Sequence, residues 1–167
     1  MKAKTEQITT ELQFQHADFT DVIRLSPELR IRLRRHRQAH RWSTEAGGQL
    51  FGCVQTGDLD VVTCTGPYPR DQRSRHSYRS HPASAQSSIE QMSKRGLCYL
   101  GEWHTHPEPK PSASWMDADA FERVCRLSET RVSSLILLIE GLADEQVRTS
   151  VYTQVDGRIA QWHPLSG

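Results

Sequence analysis

The most informative stretch of this sequence is Gly101-Glu102-Trp103-His104-Thr105-His106-Pro107, and Ser114 and Asp117 follow a short distance after it. Residues two apart in a β-strand point to the same face, so His104 and His106 present both imidazoles on one side. The rise of a strand separates their backbones by about 6.5–7 Å, which allows two ring nitrogens to converge on one ion. Asp117, on the helix expected to follow, can add a carboxylate oxygen, so the sequence predicts a three-residue metal site.

Two histidines and one carboxylate leave one position of a tetrahedral metal open, which is typical of a catalytic rather than a structural zinc site. Iron and manganese accept the same ligands, but the tetrahedral arrangement and the absence of a redox cofactor motif favour zinc. Ser114-x-x-Asp117 before an apolar helix also has the form of a capping box. The two interpretations are compatible, because a side chain at the third helical position can turn toward a ligand.

The chain has 167 residues, which suits one domain of ordinary size with its own hydrophobic core. Lysine and arginine number 21 against 20 acidic residues, and the net charge of +1 excludes a globally basic nucleic-acid binder. No apolar run approaches the roughly 20 residues that a membrane-spanning helix needs, and residues 1–16 lack the apolar stretch of a signal peptide. The four cysteines include no Cys-x-x-Cys pair, so we expect reduced, buried thiols in a cytoplasmic protein.

Strand and helix patterns alternate along the chain. Residues 1–20 are polar and are expected to form a loose N-terminal segment, and residues 21–167 a single domain. We expect strands at residues 22–25, 49–55, 59–65, 97–103, 132–139, 147–154 and 158–162. We expect helices at residues 27–39, 82–94 and 114–127. This order predicts an α/β or α+β domain built on one mixed sheet.

The spacing His104-x-His106, seven residues, then Ser114-x-x-Asp117 resembles the motif of the JAMM zinc isopeptidases, also called the MPN-plus or JAB family. That family also has a glutamate just before a glycine-containing strand, and Glu45-Ala46-Gly47-Gly48 resembles that element. The resemblance implies a JAB/MPN fold, which is a curved mixed β-sheet flanked by helices and similar to the cytidine-deaminase arrangement.

The same resemblance implies a role for each matching residue. His104, His106 and Asp117 bind one zinc ion per chain. Glu45 accepts a proton from the water at the zinc and later delivers it to the leaving amine, and Ser114 stabilises the tetrahedral oxyanion. The alternative for Glu45 is a surface turn residue without a catalytic role.

Compact bacterial members of the family carry Gly-Glu-Trp-His-Thr-His-Pro-Glu-Pro almost as it stands at residues 101–109. They are encoded beside E1- and E2-like proteins in antiphage operons of the CBASS type. The resemblance therefore implies a deconjugase in antiphage defence. Its substrate would be a protein with an extended C-terminal tail, either a nucleotidyltransferase or a ubiquitin-like protein, joined to a target amine.

Three other functions are compatible with parts of the pattern. A processing peptidase that trims a sulfur-carrier protein would use the same site and differ only in its substrate tail. A non-catalytic MPN scaffold usually lacks a metal ligand, whereas this chain retains the full set. RadC-type proteins, which are associated with nucleic acid, typically have Asn between the two histidines, where this chain has Thr105.

Two basic stretches have no assigned chemistry. The loop of residues 66–81 is a candidate substrate-facing insertion, although a solvated loop is favoured; its cationic side chains are Arg70, Arg73, Arg75, His76 and Arg79. In the helical stretch 30–41, a solvated face is favoured over a site for an acidic protein or nucleic acid. Glu102 either hydrogen-bonds an imidazole on the same strand face or is a structural residue near the strand start, whereas Trp103 is expected in the core.

Overall fold

Eight strands form one curved mixed sheet in the computed structural model of the chain, which describes residues 8–130, 132–143 and 148–165. These strands are β1 (Leu12–Gln15), β2 (Ile23–Leu25), β3 (Gly47–Gln55), β4 (Asp58–Cys64), β7 (Cys98–Thr105), β8 (Ile136–Glu140), β9 (Thr149–Val155) and β10 (Arg158–Pro164). A separate hairpin consists of β5 (Gln72–Arg73) and β6 (Tyr78–Arg79). The helices of the described residues are α1 (Pro27–Arg35), α2 (Pro82–Lys94) and α3 (Trp115–Leu127). None of these helices is long and apolar enough to cross a membrane.

The strands follow the order β1-β10-β9-β8-β7-β3-β4-β2, and the sheet closes because β1 pairs with both β10 and β2. Two pairs of neighbours run parallel, β2 with β4 and β7 with β8, and the other pairs of this sheet run antiparallel. The predicted curved mixed sheet is confirmed. Its closure into a barrel is a feature that the sequence patterns did not predict.

The core surrounds the middle of the sheet, where β8 lies between β7 and β9. All five residues of β8 are buried, as expected for a strand that is covered on both faces. Trp103 on β7 is 1% exposed, and its indole N–H donates a hydrogen bond to the Thr65 carbonyl at 2.9 Å. Its predicted place in the core is therefore confirmed, and the neighbouring part of β7 is held firmly.

Most of the predicted elements are present, with bounds that shift by a few residues. The helix predicted at 82–94 is confirmed without change as α2. The strand predicted at 132–139 is shorter, at Ile136–Glu140. Of the strand predicted at 147–154, residue 147 lies outside the described residues and the remainder corresponds to β9.

The first helix is shorter than predicted: it ends at Arg35 rather than near residue 39. Beyond its end, the side chain of Gln38 is 1% exposed. The Gln38 amide nitrogen donates to the Arg75 carbonyl at 2.8 Å, and its amide oxygen accepts from Thr105 Oγ1 at 3.1 Å. The chain thus leaves the helix at a point where a buried amide finds partners on two other segments.

The predicted loose N-terminal segment, residues 1–20, contains a strand of the main sheet. Leu12 and Phe14 on β1 are 2% and 0% exposed and belong to the hydrophobic core. These apolar residues alternate with polar neighbours, which is the pattern of a strand with one buried face. The expectation is therefore wrong for residues 12–15, and residues 1–7 lie outside the described part of the chain.

The four cysteines are free thiols, as the sequence predicts. Cys64 is buried, and burial raises the pKa of its thiol to about 12. Cys53, Cys98 and Cys125 are only partly buried, so the expectation that all four are buried is wrong for these three.

The loop of residues 66–81 is ordered around the carboxylate of Asp71. This carboxylate accepts hydrogen bonds from the backbone N–H groups of Tyr68 and His81, each at 2.7 Å, and from the Tyr78 hydroxyl at 2.9 Å. The hairpin of β5 and β6 lies within the same loop. The loop is therefore ordered by its own hydrogen bonds and also solvated, since Arg70, Arg73, His76 and Arg79 are exposed.

Candidate metal centre and active site

Three side chains meet beside the end of β7. His104 lies on β7, His106 follows its last residue, and Asp117 lies in the first turn of α3. His104 Nε2 is 3.1 Å from His106 Nε2 and 3.0 Å from Asp117 Oδ1, and His106 Nε2 is 3.4 Å from Asp117 Oδ2. One potential ligand atom from each residue lies within 4.8 Å of the others. The structure thus brings together the three residues that the sequence predicts as metal ligands.

The sheet fixes the two histidines from both sides of β7. His104 lies opposite Gly47 of β3 and opposite Ile139 of β8. The backbone N–H of His106 donates to the Glu140 carbonyl at 2.9 Å, which extends the pairing with β8 past the end of β7. Both imidazoles therefore project to one face from a backbone that has little freedom to move.

Asp117 is placed by the N-terminus of α3. The backbone N–H and the hydroxyl of Ser114 both donate to Asp117 Oδ2, at 2.7 and 2.6 Å, and the Asp117 N–H donates to Ser114 Oγ at 3.2 Å. This is a complete capping box. Because the other oxygen, Oδ1, faces His104, one carboxylate caps the helix and also faces the histidines. The capping-box and metal-ligand interpretations of Ser114-x-x-Asp117 are therefore compatible with one position of the Asp117 side chain.

The proline-rich loop between His106 and α3 is bonded to the ends of β8 and β9. The carbonyl of Glu108 accepts from the Leu142 N–H at 2.9 Å, and the carbonyl of Pro111 accepts from Ser150 Oγ at 2.5 Å. A side chain at Gly141 would meet the Glu108 carbonyl at 2.6 Å, so the close approach of loop and strand end requires glycine. These contacts set the distance between α3 and the histidines.

Glu108 is a partner of the site that sequence reasoning missed. Its carboxylate lies 3.1 Å from Nδ1 of His106, the ring nitrogen that does not face Asp117. A carboxylate at this position fixes the orientation of a ligand imidazole and increases its basicity. Its position in the sequence, two residues after a predicted ligand histidine, was the signal that could have indicated this contact, but the segment was given no role.

Of the two roles open to Glu102, the structural one is observed, because its hydrogen bonds go to other residues of the sheet. Its carboxylate accepts from Gln49 Nε2 at 2.9 Å and from the Tyr99 hydroxyl. Gln49 lies directly opposite Glu102 in the pairing of β3 with β7, and its side chain is therefore close enough to bind the carboxylate. Burial raises the pKa of Glu102 to about 7.

Glu45 lies on the same face as the histidines. The pairing of β3 with β7 sets Gly47 opposite His104, and it continues when the Thr105 N–H donates to the Ala46 carbonyl at 2.8 Å. Extending this register by one step would set Glu45 opposite His106, and opposite residues of an antiparallel pair share a face. The charges of His106 and Asp117 act on the Glu45 carboxyl, as expected for a group close to them. Glu45 is 4% exposed, and burial raises its pKa to about 7. Burial at this position argues against the alternative of a surface turn residue.

The backbone of Glu45 is held by the hairpin loop. Its N–H donates to the Ser74 carbonyl at 2.7 Å, and its carbonyl accepts from Arg73 Nε at 2.5 Å. Gly47 allows the hairpin to approach this segment, because a Cβ there would lie 2.5 Å from Cε1 of Tyr78. One function of the loop, which the sequence presented as a candidate substrate-facing insertion, is thus to position Glu45.

The charges around the ligand atoms favour a cation among them. Burial acts to raise the pKa of Asp117, but hydrogen bonds from His104 and His106 outweigh it and hold that pKa well below its usual range. Burial acts to lower the pKa of His106, but the Asp117 carboxylate opposes it and the net shift is upward. Two imidazole nitrogens and a carboxylate oxygen are also the donors that a catalytic zinc ion takes. The residues therefore fit a metal ion.

The basic stretch 30–41 is not a uniform solvated face. Glu140 is 2% exposed, and burial raises its pKa to about 7, although the positive charges of Arg148, Arg30 and Arg34 act in the opposite direction. Arg148 Nε forms an ion pair with the Glu140 carboxylate at 3.0 Å. Part of the charge of this stretch therefore acts on a buried carboxylate at the end of β8, while other arginines of α1 are exposed.

The family of prokaryotic homologs of the JAB domain matches residues 26–152 of the chain. A protein of Escherichia coli (strain TW11681) named CD-NTase/cGAS isopeptidase is 32% identical over 130 residues, which cover 76% of this chain and 81% of that protein. A Vibrio cholerae protein of the same name is 34% identical, over 68% of this chain and 72% of that protein. A probable metalloprotease of Sinorhizobium fredii is 28% identical, over 62% of this chain and 66% of that protein.

The fold is also similar to a solved structure. The solution structure of protein DSY2949 from Desulfitobacterium hafniense matches with a TM-score of 0.61 and 23% identity, over 82% of this chain and 87% of that chain. This likeness concerns the fold alone, whereas the family match spans all of the residues that form the candidate site. The chain therefore belongs to the family of prokaryotic homologs of the JAB domain and is a JAMM-type hydrolase.

Proposed function

We propose that this chain is a zinc-dependent isopeptidase that releases a CD-NTase, or a ubiquitin-like protein, from the amine to which its C-terminus is joined. The convergence of His104, His106 and Asp117 within 4.8 Å, with the buried Glu45 near enough for the charges of His106 and Asp117 to act on it, is the observation that carries this proposal. The isopeptidase names of relatives that are 32% and 34% identical support the substrate class. The resemblance of residues 101–109 to compact members encoded in CBASS-type operons supports a place for the reaction in bacterial antiphage defence.

His104, His106 and Asp117 would hold one zinc ion and leave a fourth position open. When bound there, zinc supplies a Lewis acid that polarises the scissile carbonyl and lowers the pKa of water toward about 7. The contact of the Glu108 carboxylate with Nδ1 of His106 would keep Nε2 of that ring available as a ligand.

Glu45 is the proposed acid–base residue. Its buried carboxyl, with a pKa raised to about 7, can both accept and return a proton near neutral pH. Hydrolysis breaks the amide C–N bond: water supplies a hydroxyl group to the acyl carbon, and Glu45 transfers the remaining proton to the amine nitrogen. The products are a free C-terminal carboxylate and a free amine.

Ser114 is the proposed donor to the oxyanion. Its hydroxyl donates to Asp117 Oδ2 at 2.6 Å, next to the ligand atoms. The backbone N–H of Ser114 also donates to that oxygen, so the hydroxyl hydrogen can rotate toward a substrate oxygen without leaving the carboxylate unbonded.

Residues 21–167 would form one catalytic domain, to whose sheet β1 contributes a further strand. The substrate would be a protein with an extended C-terminal tail, because the scissile bond must reach ligand atoms that are largely buried. E1- and E2-like enzymes, which form conjugates of this kind, would be the functional partners.

Replacing Asp117 is expected to remove the metal. D117N keeps an oxygen that can cap α3 but loses the negative charge, so the purified variant should lose most of the zinc that the wild type carries at about one ion per chain. Elemental mass spectrometry measures the content. D119N, at an exposed carboxylate on the same helix, is the matched control and should retain the zinc. Equal zinc in D117N and wild type would remove Asp117 from the ligand set.

Replacing Glu45 is expected to abolish hydrolysis and leave the metal bound. E45Q should lower kcat on a synthetic isopeptide, a short neutral peptide joined through its C-terminus to lysine Nζ, by about a hundredfold or more. E102Q is the control, because Glu102 also has a pKa raised to about 7 but is bonded to Gln49 and Tyr99. Full activity of E45Q would contradict the acid–base assignment.

Arg73 is expected to act through Glu45. R73Q removes the donor to the Glu45 carbonyl and should lower kcat on the order of tenfold, as the loss of one positioning hydrogen bond does. R73K should be similarly slow, because it restores the charge without the planar Nε–H donor. R79Q, across the hairpin, is the control for the removal of charge from this loop. Recovery in R73K would show that charge, rather than this hydrogen bond, is what matters.

A further inference from the structure

Two segments beside Glu45, residues 37–44 and 73–76, form a surface that we name the basic rim. Together they contain four arginines and two histidines and no acidic residue. Such a composition is unusual in a chain with 20 acidic residues and a net charge of +1. The rim therefore has a local positive potential that the chain as a whole does not have.

Hydrogen bonds join the two segments of the basic rim into one surface. Arg75 Nη1 donates to the His40 carbonyl at 3.0 Å, and Gln38 Nε2 donates to the Arg75 carbonyl at 2.8 Å. The Ser43 N–H closes the turn on the His40 carbonyl at 2.9 Å. Because Ser74 also bonds to the backbone of Glu45, the rim borders the proposed acid–base residue directly.

Trp42 is the large apolar side chain of the basic rim. It is 73% exposed, and its ring stacks on His40 with a centroid distance of 5.0 Å and an interplanar angle of 5°. Exposure of most of an indole surface to water is unfavourable, and burial of such a surface by a partner is a large source of binding free energy. Stacking restricts the ring before a partner arrives, so less conformational entropy is lost on binding.

We propose that the basic rim binds an acidic segment of the protein substrate, with an apolar side chain of that segment packed on Trp42. The inference rests on the proposed isopeptidase function and adds a recognition surface to it. Arginine and tryptophan together are the residues most enriched among binding hot spots. Because the rim adjoins Glu45, a segment bound there is adjacent to the scissile bond.

A polypeptide fits the basic rim better than a nucleic acid does. Single-stranded nucleic acids are bound by several aromatic side chains in succession, on which neighbouring bases stack. The rim offers one exposed indole, Trp42, among its arginines. An acidic peptide with one apolar residue matches both the charge and the single apolar platform.

Trp115 provides a matched control for Trp42. It is 78% exposed, close to the exposure of Trp42, but it lies at the start of α3. Asp119 and Glu122 follow on the same helix, so the charge around Trp115 is not basic. Binding that depends on Trp42 and not on Trp115 would locate the partner on the rim.

The test measures binding of labelled peptides of about twelve residues to the full chain carrying E45Q, by fluorescence anisotropy. The probes are an acidic peptide rich in Asp and Glu with one leucine, the same peptide with lysine in place of each acid, and a single-stranded DNA of similar length. The acidic peptide should bind at least about tenfold more tightly than the lysine peptide, and more weakly as salt is raised. W42A and R41E should each weaken it about fivefold or more, and W115A should not.

Three results would overturn the inference: equal binding of the acidic and lysine peptides, equal binding by W42A and W115A, or tighter binding of the DNA. Hydrolysis of the short neutral isopeptide by the wild-type protein is measured separately and needs no acidic segment. Failure of that reaction counts against the isopeptidase function, whereas failure of the binding series counts against the basic rim alone.

Discussion

The antiparallel pairing of β3 with β7 is the constraint on which the candidate site depends. It sets Gly47 opposite His104, and the Thr105 N–H extends it by one bond to the Ala46 carbonyl, next to Glu45. Residues opposite each other in such a pair share a face, so the sheet aligns the proposed acid–base residue with two of the ligands, and Arg73 adds a hydrogen bond to the Glu45 carbonyl. Trp103 belongs to the hydrophobic core, and a slip of the register by one residue would turn it away from that core, so its burial opposes such a slip.

The third ligand depends on a different local device. Asp117 belongs to α3, and its position follows from the capping box with Ser114 and from the loop that Gly141 allows to approach β8. A carboxylate that caps a helix is already ordered before any ligand arrives. The same contact therefore stabilises the helix and reduces the entropy that metal binding would cost.

The parts of this site that could be predicted from the sequence are those that local patterns determine. The alternation of His104 and His106 follows from the period of a strand, and the spacing of Ser114 and Asp117 follows from helix capping. The resemblance to the JAB family added Glu45. Glu108 was missed because its contact with His106 is a side-chain geometry that spacing alone does not reveal.

Contacts between distant segments account for most of what the sequence did not predict. Arg73 donates a hydrogen bond to a carbonyl 28 positions away. Gln38, just beyond the end of the first helix, forms hydrogen bonds with partners on two other segments. Glu102 follows the alternation correctly, but the residue that takes its carboxylate, Gln49, comes from another strand. Closure of the barrel by β1 likewise depends on pairing with β10, at the other end of the chain.

The central claim is that two imidazole nitrogens and one carboxylate oxygen bind a single zinc ion. X-ray absorption at the zinc edge, on protein loaded with one equivalent of zinc, tests it most directly. We expect nitrogen and oxygen neighbours at about 2.0–2.1 Å, with the outer-shell scattering of two imidazoles and no sulfur. A sulfur neighbour at about 2.3 Å would place the ion on cysteine instead, and an all-oxygen shell without imidazole scattering would show that the histidines do not bind it; either result would contradict the account.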